Sequence, residues 1–194
     1  MKIVGTNAPE VERALLAGEL SCPRCGGRLR PWGHARERVV RRRGGEERRR
    51  PRRSRCAGCS RSHVLLFEDS LLRRRDGVEV IGAALAAKAQ GQGHRRSATA
   101  LGVPASTVRG WLRRFTRWAE PIRSFFTVLA HSLDPMLDAI VAGGSPLGDA
   151  VEAVAVAARA GARRLGPRPP WSFASAASGG GLLSNTSCPW ADRH

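Results

Sequence analysis

Cys22-Pro23-Arg24-Cys25 and Cys56-Ala57-Gly58-Cys59 decide how the front of this chain folds. Thirty residues lie between the two knuckles, so the pattern is C-x2-C-x30-C-x2-C. A two-residue spacer lets one tight turn present both of its sulfurs to one ion, and four thiolates close a tetrahedral site with no open position for catalysis. The expectation is a structural zinc ribbon with Cys22, Cys25, Cys56 and Cys59 as ligands. Reduced cysteines with no metal, or a redox pair, are the competing readings. Gly26-Gly27 permit the tight turn after Cys25. His34 and His63 lie near enough in sequence to replace a ligand, with a surface place or a supporting contact to a ligand as the alternative. The two knuckles use four of the five cysteines and leave Cys188 over, which is metal arithmetic and not a secreted disulfide framework.

Working outward, residues 20–67 read as the ribbon, with short strands over 28–32, 38–42 and 63–67. Gly44-Gly45 marks a hairpin tip. The stretch 41–53 is too rich in arginine to bury a core face. So small a module has little core of its own, and the metal has to supply much of its stability. Residues 1–19 precede it, with a helix over 7–17 that Asn7 caps and Gly18 ends.

Lys+Arg total 33 against 16 Asp+Glu, for a net charge of +17. Only Lys2 and Lys88 are lysine, and tyrosine is absent, which reads as the codon bias of a GC-rich genome. That bias explains arginine in place of lysine, but not a twofold excess of bases over acids. The field favours a polyanion partner. Within the ribbon, Arg41, Arg42, Arg43, Arg48, Arg49, Arg50, Arg52 and Arg53 are the expected grip on phosphate, against a solvated loop as the plain alternative. The first residues show no signal-peptide core and no apolar run is long enough for a membrane span, so the expected location is the cytoplasm, associated with the nucleoid.

Residues 76–118 read as three helices. Asp76 is placed to cap the first, with Val78, Ile81 and Leu85 on one face, and Gly91-Gln92-Gly93 breaks it. A short helix runs from His94 to Leu101. Gly102-Val103-Pro104 turns the chain, because Pro104 disfavours helix at Val103. A third helix runs from Ser106 to Trp118, with Val108, Trp111, Leu112 and Phe115 inward. Ser106, Thr107, Arg109, Arg113, Arg114 and Arg117 then face out. Hydroxyls at the start of a helix followed by guanidiniums suit the DNA major groove, so this is a candidate helix-turn-helix. A plain three-helix bundle is the alternative. Residues 121–165 are Ala-rich and read as further helices that support a homodimer. Residues 166–194 are rich in Pro, Gly and Ser and read as a disordered tail carrying Trp171, Phe173 and Trp190. The fold class is therefore a small zinc ribbon of short strands followed by an all-α region.

No nucleophile–base pair and no phosphate-binding loop is visible, so a non-catalytic protein is expected. Asp134, Asp138 and Glu152 are a conceivable acidic set, but such acids are common on helix surfaces.

Cys22-Pro23-Arg24-Cys25-Gly26, Trp32-Gly33-His34, Arg55-Cys56-Ala57-Gly58-Cys59 and the stretch 101–115 together resemble the N-terminal half of bacterial insertion-sequence transposases. The chain is similar above all to small actinobacterial proteins, associated with mobile elements, that carry this ribbon plus a helix-turn-helix. The resemblance covers about residues 20–165 and includes 184–190. It implies binding to double-stranded DNA, as a transposition accessory factor or transcriptional regulator, beside a separate transposase or ATPase. It also implies an isoleucine where Ser97 stands, and a serine there forfeits burial worth about 1–3 kcal/mol. The Ala-rich residues after Trp118 do not supply the ribonuclease-H-like domain of a transposase. Two other readings stay open: a transposase remnant without its catalytic half, and a zinc-ribbon module for RNA or protein.

Overall fold

A computed structural model describes residues 1–184 and 189; Cys188 and Trp190 lie outside the described residues. The elements are β1 (Lys2–Val4), α1 (Ala8–Ala17), β2 (Leu29–His34), β3 (Arg38–Arg42), β4 (Gly45–Arg49), β5 (Arg52–Cys56) and β6 (Ser62–Phe67), then α2 (Val78–Ala89), α3 (His94–Leu101), α4 (Ala105–Arg117), α5 (Ala119–Leu133), α6 (Pro146–Leu165) and α7 (Pro170–Ala177). Small sheets thus precede a run of helices. No helix among the described residues is long and apolar enough to cross a membrane.

The four-stranded sheet has the order β1-β6-β5-β2, with β1 parallel to β6 and the other pairs antiparallel. Residues 1–19 pack within this unit. Val4 of β1 and Val11 and Leu15 of α1 share one small core with Cys22, Leu29, Cys56 and Leu65. Asn7 caps α1 as expected, its Oδ1 accepting from the Glu10 amide at 3.3 Å, and Gly18 ends the helix at φ 72°.

β3 and β4 form a separate hairpin whose two-residue tip is Arg43-Gly44. Only Val40 anchors it apolarly. Arginines do the rest by binding carboxylates. Arg49 takes both oxygens of Asp69, at 2.7 and 3.0 Å, and Arg42 takes Asp69 and, at 3.1 Å, Glu79. Asp76 does not cap α2. It binds Arg41 at 2.8 Å, and Gly77 is the N-cap. Burial pushes the Asp76 carboxyl up, and the Arg41 guanidinium draws it only part of the way back. Hairpin and helices are stitched further by two backbone bonds, from the Arg41 amide to Arg75 O and from the Gly77 amide to Arg41 O.

The helices share one core, from Leu71 through Phe115, Ile122 and Phe126 to Val154 and Ala157. α3 and α4 meet through the turn at Gly102, whose φ is 62°. The break expected at Gly143–Pro146 separates α5 from α6. Ser145 Oγ caps α6 by accepting from the Gly148 amide at 3.1 Å, and Pro146 starts the helix where a missing N–H costs nothing.

The described part of the tail is ordered, against the expectation of disorder over 166–194. α7 packs Trp171 edge-on to Phe115, and Phe173, Leu182 and Leu183 are buried. Four apolar anchors outweigh a Pro/Gly/Ser background. A Cβ on Gly82 would lie 2.0 Å from Trp171, so α2 admits this ring only because residue 82 is glycine. Ser175 Oγ donates to Ser70 O at 2.7 Å and the Leu72 amide to Gly180 O at 2.9 Å. The tail therefore straps the segment joining sheet to helices.

Candidate metal centre and arginine faces

The two knuckles are built alike. The Cys22 amide donates to Gly27 O at 2.8 Å and the Gly26 amide to Cys22 O at 3.0 Å. In the other knuckle the Cys56 amide donates to Arg61 O at 2.9 Å and the Ser60 amide to Cys56 O at 3.1 Å. Each turn folds its sulfurs toward the other. The four Sγ atoms lie within 4.8 Å of one another, with Cys22–Cys59 at 3.8 Å and Cys25–Cys56 at 3.4 Å. A tetrahedron with metal–sulfur bonds of about 2.3 Å has edges of about 3.8 Å. The cluster is compatible with a metal site such as zinc. A Cβ on Gly27 would come within 3.1 Å of Cys56 Sγ, so glycine there keeps the sulfurs together.

Backbone amides prepare the cluster for a cation. Burial opposes ionisation of Cys22, but the Arg24 and Cys25 amides outweigh it and hold that thiol down at about 6. The Cys59 amide likewise lowers Cys56. Gly27's amide works to lower Cys25, but the Cys56 and Cys59 sulfurs prevail and push it up to about 11. His63 is a neighbour of the cluster: its buried ring brings Nε2 to 3.4 Å from Cys22 Sγ. Its Nδ1 lies 3.1 Å from the Met1 nitrogen. His34 is exposed and outside the cluster.

The expected phosphate-gripping arginines separate into two groups. Arg41, Arg42, Arg49 and Arg52 are engaged with carboxylates; Arg52 holds both oxygens of Glu12, at 2.6 and 2.7 Å. Arg43 and Arg50 are exposed and enter no ion pair among the described residues, while Arg48 reaches Glu37 at 3.5 Å with both side chains exposed. Arg53 lies on the sheet and donates to Ser62 Oγ at 3.3 Å.

On α4, Val108, Trp111, Leu112 and Phe115 are buried, as expected. Ser106, Arg109, Arg113 and Arg117 are exposed, and Thr107 and Arg114 half-buried. Arg114 donates to Gly110 O at 3.0 Å, and the Arg117 guanidinium stacks 5.4 Å from the Trp118 ring centre. The helix carries no acid. A cleft of about 350 Å³ at its start is lined by Ser106, Thr107, Gly110, Arg113 and Arg114 together with Arg74. Sequence reasoning missed Arg74 because the fold, not the spacing, brings it there; its guanidinium also donates to Leu183 O.

The imagined acidic set is neutralised where it meets arginine: Asp134 binds Arg163 at 2.6 Å and Glu152 binds Arg159 at 2.9 Å.

No family model, curated protein or solved structure matches this chain.

Proposed function

We propose that this is a non-catalytic, sequence-specific DNA-binding protein with a structural zinc ion on Cys22, Cys25, Cys56 and Cys59. α3 and α4 act as a helix-turn-helix, and α4 enters a major groove. The observation that carries this reading is the division of α4 into a buried apolar stripe and an acid-free face bearing Ser106, Thr107, Arg109, Arg113 and Arg117. Arg109 and Arg113 make no ion pair among the described residues and read base edges. Arg114 and Arg117, held by Gly110 O and Trp118, contact phosphate. Arg43, Arg48 and Arg50 at the hairpin add backbone contacts.

A homodimer spanning two half-sites fits the exposed apolar side of α5, where a cleft of about 590 Å³ is lined by Pro121, Phe125, Val128 and Leu129. The role is that of a transposition accessory factor or transcriptional regulator. Selection of bound duplexes from a random pool, with metal-loaded protein near physiological salt, tests the proposal. A defined motif that vanishes in Arg109→Ala/Arg113→Ala supports it. Binding without a motif overturns it.

A further inference from the structure

A second basic surface lies on the sheet, away from α4. Along β2 and β5 alternate side chains point to opposite faces. Leu29, Ser54 and Cys56 point inward and are buried. Arg30, Trp32, Arg53 and Arg55 therefore share the outer face. Trp32 is 52% exposed, a large cost for the biggest apolar side chain in a module so short of core. A bulge starts at this ring: Pro31 pairs with Ser54 and His34 with Arg52, so Trp32 and Gly33 together oppose the single residue Arg53, and Gly33 takes φ 76°.

The surroundings of the ring have one sign. The Arg55 guanidinium lies 4.8 Å from its centre. Arg30 and Arg55 are direct cross-strand partners, and like charges so placed repel. Arg30, Arg53 and Arg55 enter no ion pair among the described residues, although Arg42 and Arg49 of the hairpin and Arg52 of β5 bind carboxylates. Arg53 Nε is buried and has no hydrogen-bond acceptor. An open indole set among unneutralised guanidiniums matches a ligand that alternates flat apolar rings with negative charge.

We propose that the outer face of β2 and β5 binds single-stranded nucleic acid, with one unpaired base stacked on Trp32 and the flanking phosphates on Arg30, Arg53 and Arg55. Duplex bases have both faces covered by their neighbours, so only an unpaired base can use the ring. This site is separate from the α4 surface and does not depend on it.

The test is binding of a labelled short oligothymidylate, the matching oligouridylate and a duplex of equal length to the full-length, metal-loaded protein. Trp32→Ala is expected to weaken single-strand binding about tenfold or more while leaving duplex binding unchanged. Trp32→Phe, which keeps an aromatic face, retains most of it. The two single strands compared show whether DNA or RNA is the source. Unchanged single-strand affinity in Trp32→Ala, equal loss on the duplex, or displacement by polyglutamate as effective as by nucleic acid overturns the proposal. Arg109→Ala/Arg113→Ala, assayed on a duplex carrying the selected site, lowers the duplex arm only, so failure of one surface is distinguishable from failure of the other.

Discussion

Gly26 and Ser60 occupy equivalent places in the two knuckles, four residues after the leading cysteine, and both are left-handed, at φ 72° and 57°. The turn that returns an amide to the leading cysteine's carbonyl imposes this conformation. Glycine accepts it freely, whereas a side chain costs about 1–2 kcal/mol. Gly26→Ala should therefore destabilise the sheet unit by about 1–2 kcal/mol. Ser60→Gly should stabilise it by up to about 1 kcal/mol, because relief of strain is partly offset by a looser unfolded chain. Urea unfolding of the metal-loaded protein measures both, and a loss of stability in Ser60→Gly would contradict the equivalence.

Metal removal should unfold less than the whole chain. The core around Cys22 and Cys56 is small and separate from the helical core. A strong chelator is expected to abolish protection of amides over 1–67 in hydrogen exchange while α4–α6 stay protected. The cysteines also set a pH dependence. With Cys25 held up at about 11, a cation has to displace its proton, so metal uptake releases protons and weakens as pH falls. Cobalt(II) titration at several pH values, read through thiolate charge-transfer bands, reports site type and trend together.

Asp69 is the joint between hairpin and helices. Burial pushes its carboxyl up, but hydrogen bonds from Arg49 and Arg42 overcome this and hold it below the usual carboxylate range. A lowered acid contributes stability above its unfolded value and loses it as pH falls through the folded one. Acid unfolding of the wild type should therefore begin below the ordinary aspartate range. Asp69→Asn should remove that acid-side step and cost about 1–3 kcal/mol at neutral pH, since Arg49 and Arg42 lose their most buried carboxylate and keep only Glu47 and Glu79. Arg43→Ala, on an exposed arginine with no carboxylate partner among the described residues, should cost almost nothing.

Local chemistry carried much of the fold into the sequence. Asn7, Gly18, Gly102 and the Ser145-Pro146 start act within a few residues of themselves, and the four cysteines announced their cluster by spacing. What stayed illegible depends on distant partners. Nothing near Arg42 and Arg49 in sequence shows that Asp69 will claim them, so a run of arginines reads as uniformly free. Trp171 reads as a stray aromatic until Gly82, far away in sequence, leaves room for it. Arg74 and Trp32 were missed for a similar reason, one brought to α4 by the fold and the other set beside Arg55 by the pairing of β2 with β5.

Ser97 is buried on α3, where its hydroxyl donates to Gly93 O at 3.3 Å. A cleft of about 570 Å³ opens beside it, lined by Ala83, Ala87, Ala100 and Leu101. A larger apolar side chain has space to enter. Ser97→Ile should raise stability by about 1–2 kcal/mol in thermal unfolding, from added apolar burial. A loss would mean that the Gly93 bond matters more than the filled space.

Salt separates the arginines by role. If about six phosphates are neutralised on a duplex, log affinity should fall against log salt with a slope near −5. Arg43→Ala or Arg50→Ala should reduce that slope by about 1 and weaken all duplexes alike, because both side chains are exposed and neither enters an ion pair among the described residues. Arg109→Ala should instead cost about 1–3 kcal/mol on the selected site and relax preference at one base pair, with little change on unrelated duplexes. Arg42→Ala and Arg49→Ala should lower the unfolding temperature and leave the slope nearly intact, since their charges are already spent on Asp69. A slope that falls equally for all of these would mean that the ion pairs open on DNA and that the hairpin arginines act as one phosphate-binding surface.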